Sequence, residues 1–158
     1  MLKKSSRGEW YLVVQACLFL LLIFGPHACC RIASWDAHHI WIGGAGGGAL
    51  FLAGLLLAAT GAINLGKNFT PLPVPKEHAT LIVSGAYRYV RHPIYSGLTF
   101  MAFAWGLWVN SWLTIGYAGL LFAFFDIKSR REERLLGEKF PEYPAYRKRV
   151  RKLLPFVY

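Results

Sequence analysis

Long uncharged, apolar stretches alternate along this chain with two polar ones, and the apolar stretches are too uniform for the one-sided pattern of a soluble helix. Residues 10–30 carry no charge, and within them 11–24 are nearly all Leu, Val, Ile, Phe and Ala, enough for a span of about 20 residues. A second uncharged run over 38–66 holds another span. The 32 residues from 94 to 125 also lack charge, too many for one crossing and suited to two short ones joined at Asn110-Ser111. Trp105, Trp108 and Trp112 surround that turn, as aromatic side chains do at a membrane interface. The pattern predicts membrane helices at about 10–30, 40–65, 94–109 and 112–127. The first follows Lys3, Lys4 and Arg7 as a signal peptide would, yet equally apolar segments follow and no small-x-small cleavage site is evident, so it is expected to stay in the mature chain.

Composition agrees with this pattern: 55% hydrophobic and 16% charged residues are far from the balance of a soluble domain, and 158 residues suit one unit. The net charge of +10 would suggest nucleic acid in a soluble protein. Here its placement decides. With four helices, Lys3, Lys4 and Arg7, then Lys67, Lys76, Arg88 and Arg91, then the ten basic residues from 128 to 152 share one side, 17 of the 18, leaving Arg31 alone on the other. Both termini and the 66–91 loop are therefore expected on the cytoplasmic face of an inner membrane of bacterial type, with no nucleic-acid partner. Cys17, Cys29 and Cys30 have no metal or disulfide spacing and are read as packing residues. The cluster Gly43, Gly44, Gly46, Gly47 and Gly48 superficially resembles a phosphate loop. It lies inside an apolar span, and small residues four apart (Gly43 and Gly47, Gly44 and Gly48, Gly54 and Ala58) are the ordinary signature of close helix approach.

Chemistry is confined to the two polar segments, which the topology puts on the same membrane face. The first passes through Pro71, Pro73 and Pro75, which favour a stiff extended path, and reaches Gly85, Tyr87, Arg91, His92, Pro93, Tyr95 and Gly97. Pro93 suits the first turn of a helix, so Arg91 and His92 stand at a helix N-terminus; there they either receive an anionic group or anchor to lipid head groups. In the second segment, Leu136, Phe140, Tyr143 and Tyr146 are three to four apart and could line one face of an interfacial helix that Pro141 and Pro144 interrupt. The mixed charges over 130–134 are, taken alone, an ordinary solvated surface.

The two segments together, Gly85-x-Tyr87-x-x-x-Arg91-His92-Pro93-x-Tyr95-x-Gly97 and, after a helical hairpin, Glu132-Glu133-x-x-Leu136-x-x-x-Phe140-x-x-Tyr143-x-x-Tyr146-x-x-x-Val150, resemble the isoprenylcysteine carboxyl methyltransferase family and its phospholipid methyltransferase relatives. The resemblance covers roughly residues 60–155. It implies an all-α integral membrane domain over 1–158, with about four transmembrane helices and a cytoplasmic loop and C-terminal interfacial helix forming a pocket for S-adenosylmethionine. The implied cofactor contacts are Leu81, Ile82, Tyr87, His92, Pro93, Ile94, Tyr95, Glu132 and Glu133. Arg91 and Lys128 are the expected substrate-positioning residues. The implied partner is a membrane lipid or a lipidated, hydrophobic small molecule, most of all a carboxylate, with a phospholipid amine or a thiol as alternative acceptors and a lipid-binding scaffold as the non-catalytic alternative.

These residue types suit the chemistry. A sulfonium-bearing amino-acid nucleoside needs basic donors, an acidic acceptor and aromatic surface, while methyl transfer from it requires positioning and desolvation, and no metal. The family often carries arginine four residues before the first glutamate; this chain has Lys128, a point charge without the bidentate fork. Lys128 is thus either a carboxylate-holding cation or a helix-end lysine reaching for the head groups. His78 is given no role, and His27, His38 and His39 are read as residues of the external interface. The charge count carries a direct test: cysteines placed at Ser5 and Tyr158 should resist a membrane-impermeant thiol reagent in intact cells and react after permeabilisation. Labelling of either from outside would overturn the orientation.

Overall fold

The structure is a computed structural model that describes residues 8–27 and 40–158. The expectations for Lys3, Lys4, Ser5, Arg7, Cys29, Cys30, Arg31, His38 and His39 lie outside the described residues. The regular structure of the described residues is helical: α1 (Glu9–Phe24), α2 (Ile40–Leu65), α3 (Pro93–Trp108), α4 (Trp112–Lys139) and α5 (Tyr143–Arg149), with short 3₁₀ turns at Gly66–Asn68 and Gly85–Arg88. Helix α1 stops at Phe24, short of the expected 30. Gly25, which precedes Pro26, is forced into extended backbone (φ −66°, ψ 165°) while its N–H closes the last turn on the Leu21 carbonyl at 2.9 Å. Among the described residues, the helical stretch Gly43–Asn68 is long and apolar enough to cross a membrane, and Glu9–Phe24 is a shorter apolar helix.

Helices α2 and α3 approach almost backbone to backbone because glycines pave the contact. Gly43, Gly47, Gly54 and Gly61 recur at helical spacing on one face of α2. A Cβ on Gly54 would stand 2.6 Å from the Gly97 carbonyl oxygen, and one on Gly97 would stand 2.3 Å from that of Gly54 and 2.7 Å from the Ala58 methyl. Gly61 likewise receives Pro93, with 2.8 Å to an added Cβ. This is the small-residue packing expected of membrane helices. The expected pair Gly44 and Gly48 does not pave the crossing, since nothing lies within 4 Å of a Cβ at either; Gly44 meets α3 only through its carbonyl, which accepts from Trp108 Nε1 at 3.3 Å.

Asn110, with φ of 50°, turns the chain from α3 into α4, and Ser111 caps α4 by accepting the Thr114 N–H at 3.1 Å. His27 pairs with the Thr114 hydroxyl at 3.0 Å, so the chain beyond α1 is fastened to this cap. Below it α1 packs on α4 through Tyr11, Leu22, Leu121, Phe124 and Phe125. Instead of ending near residue 127, α4 runs unbroken through the charged segment to Lys139, since no proline intervenes before Pro141 and Arg130 pairs with Asp126 one turn back at 2.6 Å. Its polar end is one rod with its apolar half. Phe140, restricted by Pro141, leaves the helix, and Pro144 then sits in the first turn of α5.

Beyond α5 the chain returns beside the N-terminus of α3. The Arg91 and His92 N–H groups donate to the Arg151 and Lys152 carbonyls at 2.8 and 3.1 Å, around a bridge between Val90 and Arg151. Lys152 and the Tyr158 hydroxyl both bind Asp126, at 2.5 and 2.9 Å, which leaves that carboxylate fully partnered. The α2–α3 crossing has a measurable consequence. Gly97→Ala should destabilise the protein by about 1–3 kcal/mol through overpacking, whereas Gly44→Ala should cost nothing. Thermal unfolding in one detergent separates them, and equal midpoints would mean the crossing is not close-packed.

Candidate functional site

The polar end of the bundle is organised around Glu133, whose side chain is 3% exposed. It accepts from Arg91 Nε at 2.9 Å, pairs with His92 Nε2 at 3.1 Å and lies 3.4 Å from Arg147 Nε. Burial alone would raise its pKa, but the hydrogen bonds and charges of His92 and Arg91 outweigh burial and hold it at about 2. The anion received at the N-terminus of α3 is therefore the chain's own carboxylate. Arg91 spends its other reach on the end of α5, donating to the Arg147 carbonyl at 3.0 Å and to the Val150 carbonyl.

On the other side of Arg91 and His92 opens a cleft with about 1060 Å³ of empty space, counted to its open mouth. Its walls are Gln15 of α1, the end of α2, the proline-rich strap, the turn into α3, the polar half of α4, Phe140 and α5. The strap is held at several points. Asn68 and Thr80 exchange side-chain and backbone hydrogen bonds at 3.2–3.4 Å, Lys76 Nζ reaches the Lys67 carbonyl at 2.7 Å, and Lys139 Nζ donates to the Glu77 carbonyl at 2.8 Å. Gly85 makes the turn that follows: its φ of 61° and the Asn64 Oδ1 only 2.2 Å from an added Cβ exclude any side chain, and that oxygen accepts the Ala86 N–H at 2.9 Å. Tyr146 of α5 closes the ring by donating to the Tyr87 carbonyl at 2.6 Å.

Of the expected cofactor residues, Leu81, Ile82, Tyr87, His92, Ile94, Tyr95 and Glu132 line this cleft, and Pro93 and Glu133 do not. Pro93 is buried against Gly61, and Glu133 points to the far side of Arg91. The two adjacent glutamates thus diverge. Glu132 is partly exposed in the cleft, accepts from the Tyr95 hydroxyl at 2.9 Å and lies 3.9 Å from His92 Nδ1. The rings of His92, Tyr95 and Phe125 stack in sequence, with centroids 5.5 and 4.7 Å apart. Leu136, Phe140, Tyr143 and Tyr146 all contribute to the wall. Arg91 also borders it, but as a strut whose Nε and one terminal nitrogen are engaged as described. Burial, with Glu132 adding for Tyr87 and Glu133 for Tyr143, pushes both phenols above their ordinary range, so they remain protonated donors at neutral pH.

Lys128 is the most unusual residue here. It does not extend to the head groups: the residue is 1% exposed, and Nζ donates to Gln15 Oε1 at 2.6 Å and the Pro71 carbonyl at 3.0 Å, 5.2 Å from the centre of the Tyr95 ring. Burial lowers its pKa and Glu132 opposes the shift. No carboxylate of the described residues lies within 4 Å of it, so this buried cation has only neutral partners. Gln15, Asn64 and Asn68 escaped the sequence reading. Gln15 has a signal, a lone amide in an apolar helix, whereas Asn64 in the last turn of α2 and Asn68 in the 3₁₀ turn after it have none.

An all-helical bundle with this cleft at one end defines the fold of an intramembrane protein, and comparison with known proteins assigns it. Residues 42–143 match the family described as phospholipid methyltransferase. Among similar curated proteins, protein-S-isoprenylcysteine O-methyltransferase B of Arabidopsis thaliana is 34% identical over 125 residues, covering 75% of this chain and 62% of that protein. The protein-S-isoprenylcysteine O-methyltransferase of Schizosaccharomyces pombe is 28% identical over 108 residues, 66% of this chain and 46% of that one. The chain thus spans about three-fifths or less of the length of these two relatives. The solved eukaryotic intramembrane Ras methyltransferase ICMT (isoprenylcysteine carboxyl methyltransferase) shares the fold, with a TM-score of 0.61 at 20% identity over 99% of this chain and 55% of that one. The chain belongs to the family of phospholipid and isoprenylcysteine carboxyl methyltransferases.

The buried hub gives a pH signature. Its folded pKa of about 2 lies below the ordinary 4.5, so its contribution is complete above about 4.5 and is lost as pH falls toward 2. Glu133→Gln should lower stability at neutral pH by about 3–5 kcal/mol, because Arg91 and His92 lose their buried partner. The gap between the two proteins should narrow across that acid window. Thermal unfolding of both in detergent from pH 7 to 3 checks this, and coincident curves at neutral pH would remove Glu133 from its central position.

Proposed function

We propose that this chain is an S-adenosylmethionine-dependent membrane methyltransferase that methylates the carboxylate of an isoprenylated cysteine or a similar lipid-borne acid. The observation that carries the reading is Lys128, a buried ammonium without a carboxylate partner, in the same cleft as Glu132. The names of the relatives support the reaction, and the donor set of the cleft fits the cofactor. Glu132 offers an acceptor for the cofactor's hydroxyl or ammonium groups, and Tyr87, Tyr95, Phe140 and Tyr143 offer aromatic surface for its base and sulfonium. Tyr143 lies in the wall with a buried hydroxyl that has no partner among the described residues. Leu81, Ile82, Tyr87, His92, Ile94, Tyr95 and Glu132 are the proposed cofactor contacts. Pro93 and Glu133 serve from behind, by setting the turn of α3 and by holding Arg91 and His92.

When bound, S-adenosylmethionine supplies a methyl group on a sulfonium with a good leaving group. The protein's part is to hold a carboxylate oxygen in line with that methyl and to exclude water; the C–O bond forms as the C–S bond breaks, and no proton moves. Lys128 suits the carboxylate because an ammonium held by neutral partners has no counter-ion to give up before it meets an incoming anion, while it repels a protonated amine. The positive-inside pattern supports a cytoplasmic site with both termini on that face.

Two substitutions test this. Glu132→Gln should weaken S-adenosylmethionine binding by about one to two orders of magnitude, the worth of a charge-assisted hydrogen bond of about 1.5–3 kcal/mol. Lys128→Met should abolish most turnover on a prenylcysteine carboxylate while leaving cofactor affinity nearly unchanged. Calorimetry and a labelled-methyl assay read both effects. Absence of saturable cofactor binding in the unmodified protein would favour a lipid-binding scaffold, and full activity of Lys128→Met on the carboxylate would remove that residue from acceptor recognition.

A further inference from the structure

Helix α1 lies outside the two motifs and before the family match at residues 42–143, yet it supplies a polar wall to the cleft. Between Tyr11 and Phe24 its side chains are apolar apart from Gln15 and Cys17, and an amide in such a helix is costly unless its polar groups are used. Gln15 lies on the same helical face as Tyr11, Leu18 and Leu22, the face packed toward α4. Its oxygen accepts from Lys128 at 2.6 Å. The amide is planar, so this bond fixes where its NH₂ points, and that group has no protein partner among the described residues. Lys128 has three N–H donors, of which Gln15 and the Pro71 carbonyl take two; the third has no oxygen acceptor among the described residues. Gln15 and Lys128 both line the cleft, so both unspent donors belong to its wall.

We propose that Gln15 belongs to the acceptor site: its amide NH₂ and the remaining N–H of Lys128 form a paired donor set for the two oxygens of the acceptor's carboxylate. The inference rests on the methyltransferase reading and extends it to α1. The chemistry selects a planar anion with two acceptor oxygens. An amine presents donors to donors, and a thiol offers one weak acceptor where two donors wait. Gln15 also turns the ammonium, because the oxygen that accepts from Lys128 fixes where the remaining N–H can point. It is therefore both a contact and a positioning residue.

Gln15→Glu is the discriminating variant. It preserves size and gives Lys128 a carboxylate of its own, so a merely structural role would be kept or strengthened, whereas docking of an external carboxylate would meet a neutralised cation. The expected result is an unchanged or raised unfolding temperature, unchanged S-adenosylmethionine affinity by calorimetry, and a KM for S-farnesylcysteine raised at least tenfold with a smaller change in kcat. Inhibition should report the same loss: the unmodified protein should prefer S-farnesylcysteine to its uncharged carboxamide, and the variant should not. Gln15→Leu, which deletes the amide without adding charge, should raise KM several-fold and carries the test if the glutamate variant does not fold. A wild-type KM in either folded variant overturns the role of Gln15 while leaving the methyltransferase reading in place. Failure of the unmodified protein to bind S-adenosylmethionine or to methylate S-farnesylcysteine overturns both.

Discussion

A buried carboxylate carries the polar end of this molecule. Glu133 is taken out of water, a cost of several kcal/mol for an isolated ion, and regains it from the guanidinium groups of Arg91, ahead of α3, and Arg147, on α5, together with the His92 ring. Arg91 extends the arrangement by donating to the Arg147 and Val150 carbonyls, groups a helix end leaves without internal partners. The turn into α3 is thereby held to α4 and α5, some 40 to 60 residues further along the chain, in one geometry, and the cleft is the space left on the other side of that joint. The strap, the Gly85 turn and the Tyr146 to Tyr87 bond then enclose it.

This arrangement divides labour between neighbouring glutamates. Successive residues on a helix point about 100° apart, so Glu133 faces Arg91 and Arg147 while Glu132 faces the cleft, where among the described residues it meets Tyr95 and the edge of His92. The buried residue fixes the frame and the half-exposed one remains available to a ligand. His92 touches both, through its two ring nitrogens. The ring stack from His92 through Tyr95 to Phe125 ties that region to the apolar core between α1 and α4.

What the sequence makes readable is what depends on local pattern. Hydrophobic runs locate α2, α3 and the apolar half of α4, Pro93 marks the start of α3, and the glycine spacing announces a close helix contact. The motif glutamates and tyrosines gather where the two polar segments meet. The errors have equally local causes: Gly25-Pro26 ends α1 early, and the charged stretch after residue 127 continues a helix because nothing breaks it. Which glycines touch α3 depends on the rotation of α2, to which the repeated small residues are blind. The roles of Arg91, Lys128 and Gln15 depend on partners 42 to 113 residues away, and no periodicity encodes those meetings.

The unbroken course of α4 acts as a depth gauge. Lys128 and Glu132 are four residues apart on one rigid helix, a rise of about 6 Å, and no hinge separates them from the segment anchored among α1 and α3. On the proposed reading, a lipid held by its tail in the bilayer would meet Lys128 and Glu132 at heights set by residue count along α4, and acceptors would be sorted by the distance between their apolar body and reactive atom as well as by charge.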